Sequence, residues 1–367
     1  MTSSEPRPTT WGRIARDPRL RETLVRRGEI LRGVREWFWS RGFLEVDPPI
    51  LAPWVGMEPH LAPLSTVVSD GYGQALRLYH QTSPEYALKK LLAAGIPNCF
   101  ALGHVFRNGE VSERHNPEFA MLEWYRRDAD YTALMDDTAH LVADLASRFC
   151  GAAELVYAGQ RIDLTPPWER ITVAKAMRRW AGVDIEAHPN DESFRAHART
   201  RGHEWVSAES WDELFYKLFL TYAEPKLGLP KPTILCEYPV RFGALARRHP
   251  ERPHVVERFE AYVAGVELCN GFSELADPVE QRARLEAEQA ERRALGREPL
   301  VVDEDFLDAL EDGFPACAGN ALGVDRLVML LTGETDIARV TWFPFRVFED
   351  WTRRHRGAVA PCREELP

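Results

Sequence analysis

Three stretches of this 367-residue chain carry charged residues that could hold a nucleoside triphosphate without a P-loop. Nucleotidyl transfer depends mainly on positioning and on neutralising phosphate charge, which arginines and carboxylate-held metals can supply. The first stretch is Val105-Phe-Arg-Asn-Gly-Glu-Val-Ser-Glu-Arg-His-Asn-Pro-Glu-Phe119. Its flanks, Cys99 to Arg107 and Pro117 to Arg126, read as strands joined by a polar loop, a long-looped antiparallel hairpin. Arg107 falls at a strand end, where a guanidinium can grip a phosphate in bidentate fashion. His115 and Phe119 open the return strand and could sandwich a purine ring. Taken alone, the same loop reads equally well as a solvated, charged hairpin.

The second stretch runs Phe259-Glu-Ala-Tyr-Val-Ala-Gly-Val-Glu-Leu-Cys-Asn-Gly-Phe-Ser-Glu274. Glu260 and Glu267 have opposite strand parity, so a bulge or turn at Gly265 must intervene if both face one ion. Paired carboxylates that leave room for waters and bridging phosphates suit Mg2+. Phe259, Tyr262, Val266 and Leu268 surround them, which argues against a solvent face, because buried charges must be paired or ligating. The third stretch is Gly319-Asn-Ala-Leu-Gly-Val-Asp-Arg-Leu-Val-Met329. Gly319 and Gly323 allow backbone to approach a ligand closely, and Arg326 falls in the first turn of a helix. Its plain alternative is a Gly-rich turn into a buried helix.

The elements that must position these groups follow from periodicity. Leu24, Ile30, Leu31, Val34, Trp37 and Phe38 recur at helical spacing from Arg21 to Arg41, with Gly42 as a stop. Phe43 to Leu51 reads as a strand broken by prolines, which confines it to an edge or an interface. A helix runs from Pro84 through Ala94, with Ser83 as N-cap. Residues 130–150 and 172–226 are mostly helical in pattern, and strands return at Thr233–Tyr238 and Val255–Cys269. Arg and Glu dominate 279–297, a solvated helix rather than a site, and Asn320–Gly333 reads as an apolar helix. The GYG at 71–73 lacks a strand–GxGxxG–helix context and reads as a turn. Strands and helices mix without a regular βαβ rhythm, so the expected class is α+β, an antiparallel sheet flanked by helices. Segment 1–20 reads as a flexible tail, 21–345 as one catalytic domain and 346–367 as a C-terminal tail.

Hydrophobic residues make up 45% of the chain and charged ones 28%, which fits a globular protein with a sizeable core. The net charge of −10 argues against broad, sequence-independent nucleic-acid binding. The six cysteines form no CxxC and no tight Cys/His spacing, so neither a zinc site nor a disulfide framework is expected. No apolar run reaches the length of a membrane span, and an Arg-rich start interrupted by Asp17, Glu22 and Glu29 reads as an amphipathic helix. The expected setting is the cytoplasm.

These stretches, in their order along the chain, resemble the signature motifs of class II aminoacyl-tRNA synthetases. Gly42–Leu51 resembles motif 1, with Pro49 at its proline, Phe106–Arg126 resembles motif 2, and Gly319–Met329 resembles motif 3. The lysyl-tRNA synthetase core is the nearest match within that class. SPEY at 83–86, RHNPEF at 114–119, the Glu123-Trp-Tyr125 triplet and ELCNGFSEL at 267–275 all echo it. The resemblance implies ATP and Mg2+ as cofactors, with Arg107 and Arg326 as catalytic residues on the α- and γ-phosphates. It places Asn108, Gly109, Glu110, His115, Asn116, Phe119, Leu268 and Gly323 around the rest of the nucleotide, and Mg2+ on Glu260 and Glu267. Ser83, Pro84 and Glu85 would take the amino group near the reacting carboxylate. Glu123, Tyr125, Asn270, Glu274 and Ala321 would shape the lysine pocket, whose ammonium needs a carboxylate partner. One departure stands out: the synthetases have Glu two residues after the motif 2 arginine, where this chain has Gly109, with Glu following at 110.

The acceptor is also read from resemblance. Lysyl-tRNA synthetases carry an OB-fold domain before motif 1, and here motif 1 begins near residue 42. A barrel of about 100 residues has no room ahead of it, so the chain is expected to be a bare catalytic core in which tRNA binding is absent. That pattern resembles the elongation factor P–(R)-β-lysine ligase family. Ala321 agrees, since α-lysine synthetases have Gly there and the ligase family Ala. The resemblance implies a homodimer that activates lysine or β-lysine and transfers it to a lysine of elongation factor P. The alternatives are a minimal lysyl-tRNA synthetase-like enzyme and a non-catalytic lysine- or adenylate-binding regulator.

Overall fold

A computed structural model describes residues 10–354, apart from Trp205 and Ala244. The chain begins with α1 (Gly12–Arg16), α2 (Pro18–Trp39), β1 (Leu44–Glu45), β2 (Leu51–Ala52), β3 (Ser65–Ser69) and β4 (Ala75–His80). Next come α3 (Glu85–Ala93), β5 (Cys99–Phe106), β6 (Glu118–Arg127) and α4 (Tyr131–Cys150). After these lie β7 (Glu154–Tyr157), β8 (Gln160–Asp163), β9 (Glu169–Thr172), α5 (Val173–Ala176), α6 (Asp191–Thr200) and α7 (Trp211–Leu218). The remainder is β10 (Thr233–Pro239), β11 (Val255–Val263), β12 (Val266–Ser273), α8 (Pro278–Ala294), α9 (Glu304–Glu311), β13 (Cys317–Gly323), α10 (Val324–Thr332) and α11 (Phe345–Arg354). The large sheet has the order β1-β5-β6-β13-β12-β11-β10-β9. Its pairs β10–β11, β11–β12 and β12–β13 are antiparallel, while β1 and β9 join in parallel as the edges. The protein is thus the α+β class that the sequence implies. No helix among the described residues is long and apolar enough to cross a membrane.

The chain divides into two compact units. One contains the chain up to Glu123, Arg282–Asp312 and everything from Gly323 on; the other contains Trp124–Gln281 and Gly313–Leu322. In the first unit, α2 starts at Pro18 because the Asp17 carboxylate caps it, accepting from the Leu20 amide at 3.0 Å. It buries Leu20, Leu24, Ile30, Val34, Trp37 and Phe38 along one stripe. Each such side chain contributes about 1.5–3 kcal/mol by leaving water. Phe38 stacks on Phe100 with ring centroids 4.8 Å apart and meets Phe43 edge-on. Gly42, at φ +76°, turns the chain after the helix as the sequence suggests.

Arg27 lies on the same buried stripe, and its charge is met by Asp325 of α10. The other Asp325 oxygen accepts from the Ala120 amide of β6 at 3.0 Å. In the second unit the core gathers Phe194, Trp211, Phe215 and Phe219 from α6, α7 and the irregular turn after α7, against Leu235 and Tyr262 of β10 and β11.

Several sequence expectations change. Helix α1 and the start of α2 lie inside the segment 1–20, because Arg13 donates to the carbonyls of Ala338 and Thr341. Helix α11 lies inside 346–367, tied by its first amide, Phe345 N–H, to Asn116 Oδ1 at 3.0 Å. Residues 1–9 and 355–367 of those two segments fall outside the described residues. Val255–Cys269 is a two-stranded hairpin, and Asn320–Gly323 belongs to β13, so the helix of the third stretch begins only at Val324. Phe43–Leu51 keeps just the short β1 and β2, since Pro48 and Pro49 offer no amide to a ladder.

Asp325→Ala should strand the buried Arg27 guanidinium without its counter-charge and destabilise the protein by about 3–5 kcal/mol. A lowered urea midpoint at unchanged slope is the expected reading.

Candidate active site

In the first unit, the β5–β6 hairpin sets Arg107 by backbone alone. Its amide donates to Pro117 O at 2.9 Å, while the flanking amides of Phe106 and Asn108 donate to Gln81 O and Ala62 O. The guanidinium lies 5.2 Å from the Phe119 ring centre, and its Nε is enclosed without a partner among the described residues. A buried guanidinium N–H without an acceptor is held ready for an oxyanion. Gly109 adopts φ +81°, which no side chain favours, and carries the loop round so that Glu110 acts electrostatically on His115. The glutamate displaced by one position thus still reaches this end of the site.

His115 is fixed at both nitrogens. Nδ1 is 2.8 Å from Ser112 Oγ, and Nε2 is 2.8 Å from Arg326 Nη2, a donor only. Nε2 therefore accepts, and the ring is neutral with its proton on Nδ1. Burial holds the imidazole below its usual range, and the Arg326 charge adds to the effect. Arg326 occupies the first turn of α10, whose N-cap position is Gly323 with no side-chain cap, so the helix presents open amides as well as a guanidinium. Asn116 is held by the backbone on both sides. Its side chain donates to Glu118 O and accepts from Phe345 N–H, both at 3.0 Å, which makes it a brace for the loop.

Ser83-Pro84-Glu85 opens α3, though Pro84 rather than Ser83 holds the N-cap position, and no side chain caps the helix. Glu85 Oε1 is 2.5 Å from Lys89 Nζ, one turn on and only 1% exposed. The 279–297 helix, expected to be merely solvated, buries Gln281, Leu285, Gln289 and Arg292 on one stripe. Arg292 donates to the carbonyls of Glu58 and Leu61 at 3.1 and 2.9 Å. Glu288 and Arg292 were missed because their helix is so rich in charge; the 281–285–289–292 spacing was the available signal.

In the second unit, the hairpin turn at Ala264–Gly265, both at positive φ, pairs Tyr262 with Glu267 and so puts Glu267 on the face of Glu260. A bulge leaves Leu268 unpaired and brings Asn270 opposite Glu260. Leu268 is buried, so only its backbone is available to a ligand. Glu260 Oε1 accepts from Arg258 at 2.6 Å and Oε2 from Tyr262 O–H at 2.7 Å, while Arg258 also donates to Asn270 Oδ1 at 2.9 Å. Burial raises the Glu260 carboxyl, Arg258 opposes the rise, and the nearby Glu267 charge adds to it. Two half-buried carboxylates on one face are a donor set that fits a divalent cation keeping water and phosphate ligands. Arg258 was the residue overlooked here, two positions before Glu260 on the same strand face.

Across the β12–β13 pair, Ala321 stands opposite Asn270 and Gly319 opposite Phe272. A Cβ at Gly319 would overlap the Tyr125 ring and lie 2.7 Å from Glu274 Oε1. Glu274 is 3% exposed, Tyr125 is buried, and Glu123 is buried two residues before Tyr125 on β6. A glycine is thus required beneath an aromatic ring and a buried carboxylate, an anionic floor suited to an organic cation.

A family model for class II tRNA synthetases (D, K and N) matches residues 9–347. The chain belongs to that family. It is 39% identical to a lysine–tRNA ligase of Moorella thermoacetica over 328 residues, covering 89% of this chain and 66% of that protein. A lysine–tRNA ligase of Clostridium perfringens is 36% identical over 334 residues, covering 90% and 66%. One of Nostoc punctiforme is 39% identical over 333 residues, covering 89% and 58%. The chain therefore spans about two thirds or less of the length of these curated relatives. This class II synthetase carries the motif 2 arginine, Arg107, and the motif 3 arginine, Arg326, in its first unit, and the hairpin glutamates in its second.

Burial raises the Glu288 carboxyl to about 8, with Glu58 and Glu85 adding to the rise. The folded synthetase thus holds a proton that the unfolded chain gives up near 4.5. The stability linked to this group is complete below that value and is lost as pH climbs through about 8. Glu288→Gln keeps the neutral form, so its stability should stay flat where the wild type declines and exceed it at about pH 9. Denaturant titrations at both ends of that range check this.

Proposed function

We propose that this class II synthetase activates lysine with ATP as the aminoacyl-adenylate, prefers the (R)-β isomer, and transfers it to a lysine side chain of elongation factor P. The observation that carries the lysine assignment is the Glu274 carboxylate, buried beside Tyr125 over a glycine that leaves no space for a side chain. An ammonium is the ligand that such a carboxylate matches. The relatives named lysine–tRNA ligases support the same amino acid.

In the first step a carboxylate oxygen of lysine attacks the α-phosphorus of ATP, and the bond to the bridging oxygen breaks to release pyrophosphate. Arg107 takes the α-phosphate and the developing charge, and Arg326 the γ-phosphate. His115 and Phe119 frame the adenine, and neutral His115 keeps the Arg326 guanidinium aimed. Glu260 and Glu267 would hold Mg2+, which supplies charge neutralisation on the phosphates. In the second step the acceptor ε-amine attacks the carbonyl carbon, AMP leaves, and the amine loses a proton. Removal of Arg107 as alanine should lower kcat for lysine-dependent ATP–pyrophosphate exchange about 100- to 1,000-fold.

Ala321 is the residue proposed to favour the β isomer, its methyl lying on the strand face that carries Asn270. The acceptor is tested by incubating enzyme, ATP and each lysine isomer with elongation factor P and with bulk tRNA, then measuring which gains mass. A charged tRNA and an unmodified protein would turn the reading to tRNA, the second reading, which the names of the relatives favour. Class II assembly through Gly42–Leu51 is proposed to give a homodimer, in keeping with Leu44 and Ile50, which are 45% and 50% exposed in the isolated chain. A cytoplasmic setting agrees with Cys99, Cys236 and Cys269, which are buried thiols outside any disulfide.

Ala321→Gly removes one methyl and no charge. The kcat/KM ratio for α-lysine over β-lysine should then rise about tenfold; an unchanged ratio removes Ala321 from the isomer choice.

A further inference from the structure

Glu58 has no part in the reactions described above, yet it sits among residues that do. It lies in the first unit, in the segment between β2 and β3, held from behind by Arg292, which donates to its carbonyl. The place where a Cβ of Gly56 would stand is overlapped by Glu58 Oε2 and lies 3.1 Å from Thr82 Oγ1. Both oxygens are sealed from solvent, and neither has a hydrogen-bond partner among the described residues. Two enclosed oxygens, one of them anionic, thus converge on the space over a residue without a side chain. Leaving such atoms unmatched is costly, so the arrangement suits an occupant that brings N–H donors.

The neighbours identify the occupant. Two acceptors facing one space match the several N–H donors of an organic ammonium. Burial pushes the Glu58 carboxyl above its usual range, the Glu85 charge adds to the rise and the Arg107 charge opposes it. The Phe106 amide, next to Arg107, donates to Gln81 O, next to Thr82. Arg107 is the residue proposed for the α-phosphate, which the reacting carboxylate must attack, so a cation at Glu58 belongs to the same end of the substrate. Glu85, the residue that motif resemblance offers for this task, already has its Oε1 at 2.5 Å from the buried Lys89 ammonium. Thr82 directly precedes the Ser83-Pro84-Glu85 segment, which brings its hydroxyl to that same end.

We propose that Glu58 Oε2 and Thr82 Oγ1 accept the substrate amino group nearest the reacting carboxylate, and that they exclude ω-amino acids that lack it. This rests on the lysine-activating reading. A site built to pair an N–H donor rejects the analogue without one, because its own acceptors are then left buried and unmatched.

The test uses the full chain in ATP–pyrophosphate exchange with α-lysine, β-lysine and 6-aminohexanoate, which keeps the carboxylate and terminal amine but has no amino group beside the carboxylate. Where 6-aminohexanoate is not adenylated, its inhibition constant against lysine replaces KM. Glu58→Gln should raise KM for the preferred lysine isomer about 10- to 100-fold and leave the constant for 6-aminohexanoate within about twofold. Thr82→Val, nearly isosteric, should shift the same ratio in the same direction by less and guards against a folding defect in the first variant. Equal losses for both compounds, or no change in either, overturn the assignment of Glu58. Wild-type enzyme that exchanges with neither lysine isomer overturns the lysine reading itself, an outcome separable from the first because it needs no variant.

Discussion

The carboxylate of Asp325 holds the first unit in register. One oxygen meets the Arg27 guanidinium of α2, and the other accepts the Ala120 amide of β6, so one buried side chain joins three elements that are distant in sequence. A charge so deep persists only while fully paired, and that requirement fixes α10 against the hairpin. Arg326 is the next residue. Its reach to His115 is therefore set by a neighbour that touches no ligand. The Arg326 guanidinium inherits its position from a structural carboxylate, and that carboxylate inherits its own from an arginine on a helix far up the chain.

The same logic runs through the second unit with different means. Arg258 binds both Glu260 and Asn270, and Tyr262 holds the other oxygen of Glu260. The hairpin turn and the unpaired Leu268 decide which side chains share that face. Backbone irregularities do here what ion pairing does in the first unit. Each removes a degree of freedom from a charged group before any ligand arrives, so less ordering remains to be done on binding.

Much of this was legible from residue types and spacing. The motifs singled out Arg107, His115, Phe119 and Arg326, and the structure brings Arg107 to Phe119 and Arg326 to His115; the need for a turn at Gly265 follows from parity alone. Other features are invisible to local pattern. Asn116 is polar and lies between two site residues, yet its amide goes to backbone groups at 118 and 345, and only the fold brings the second one near. Asn320–Gly323 is apolar enough for a helix, but pairing with β12 makes it strand. The helix around Glu288 is highly charged, and its buried stripe of Gln281, Leu285, Gln289 and Arg292 is half polar, so periodicity of apolar residues could not reveal it. Glu58 belongs to no motif. Its meaning depends on Thr82 and on a glycine two positions earlier, a convergence that exists only in three dimensions.

The glycine at 319 bears on how far such a pocket can be remodelled. A Cβ there would already collide with Tyr125 and Glu274, and the floor cannot be lowered by trimming, because there is no side chain left to remove. Nor can it be raised without displacing the aromatic ring. Enlargement toward longer or bulkier amino acids has to come from the walls, with Tyr125 the first candidate. A library randomised at 319 should return glycine almost alone, whereas one randomised at 125 can trade aromatic contact for volume. The strand thus sets a fixed depth, and substrate range becomes a property of the ring that stands above it.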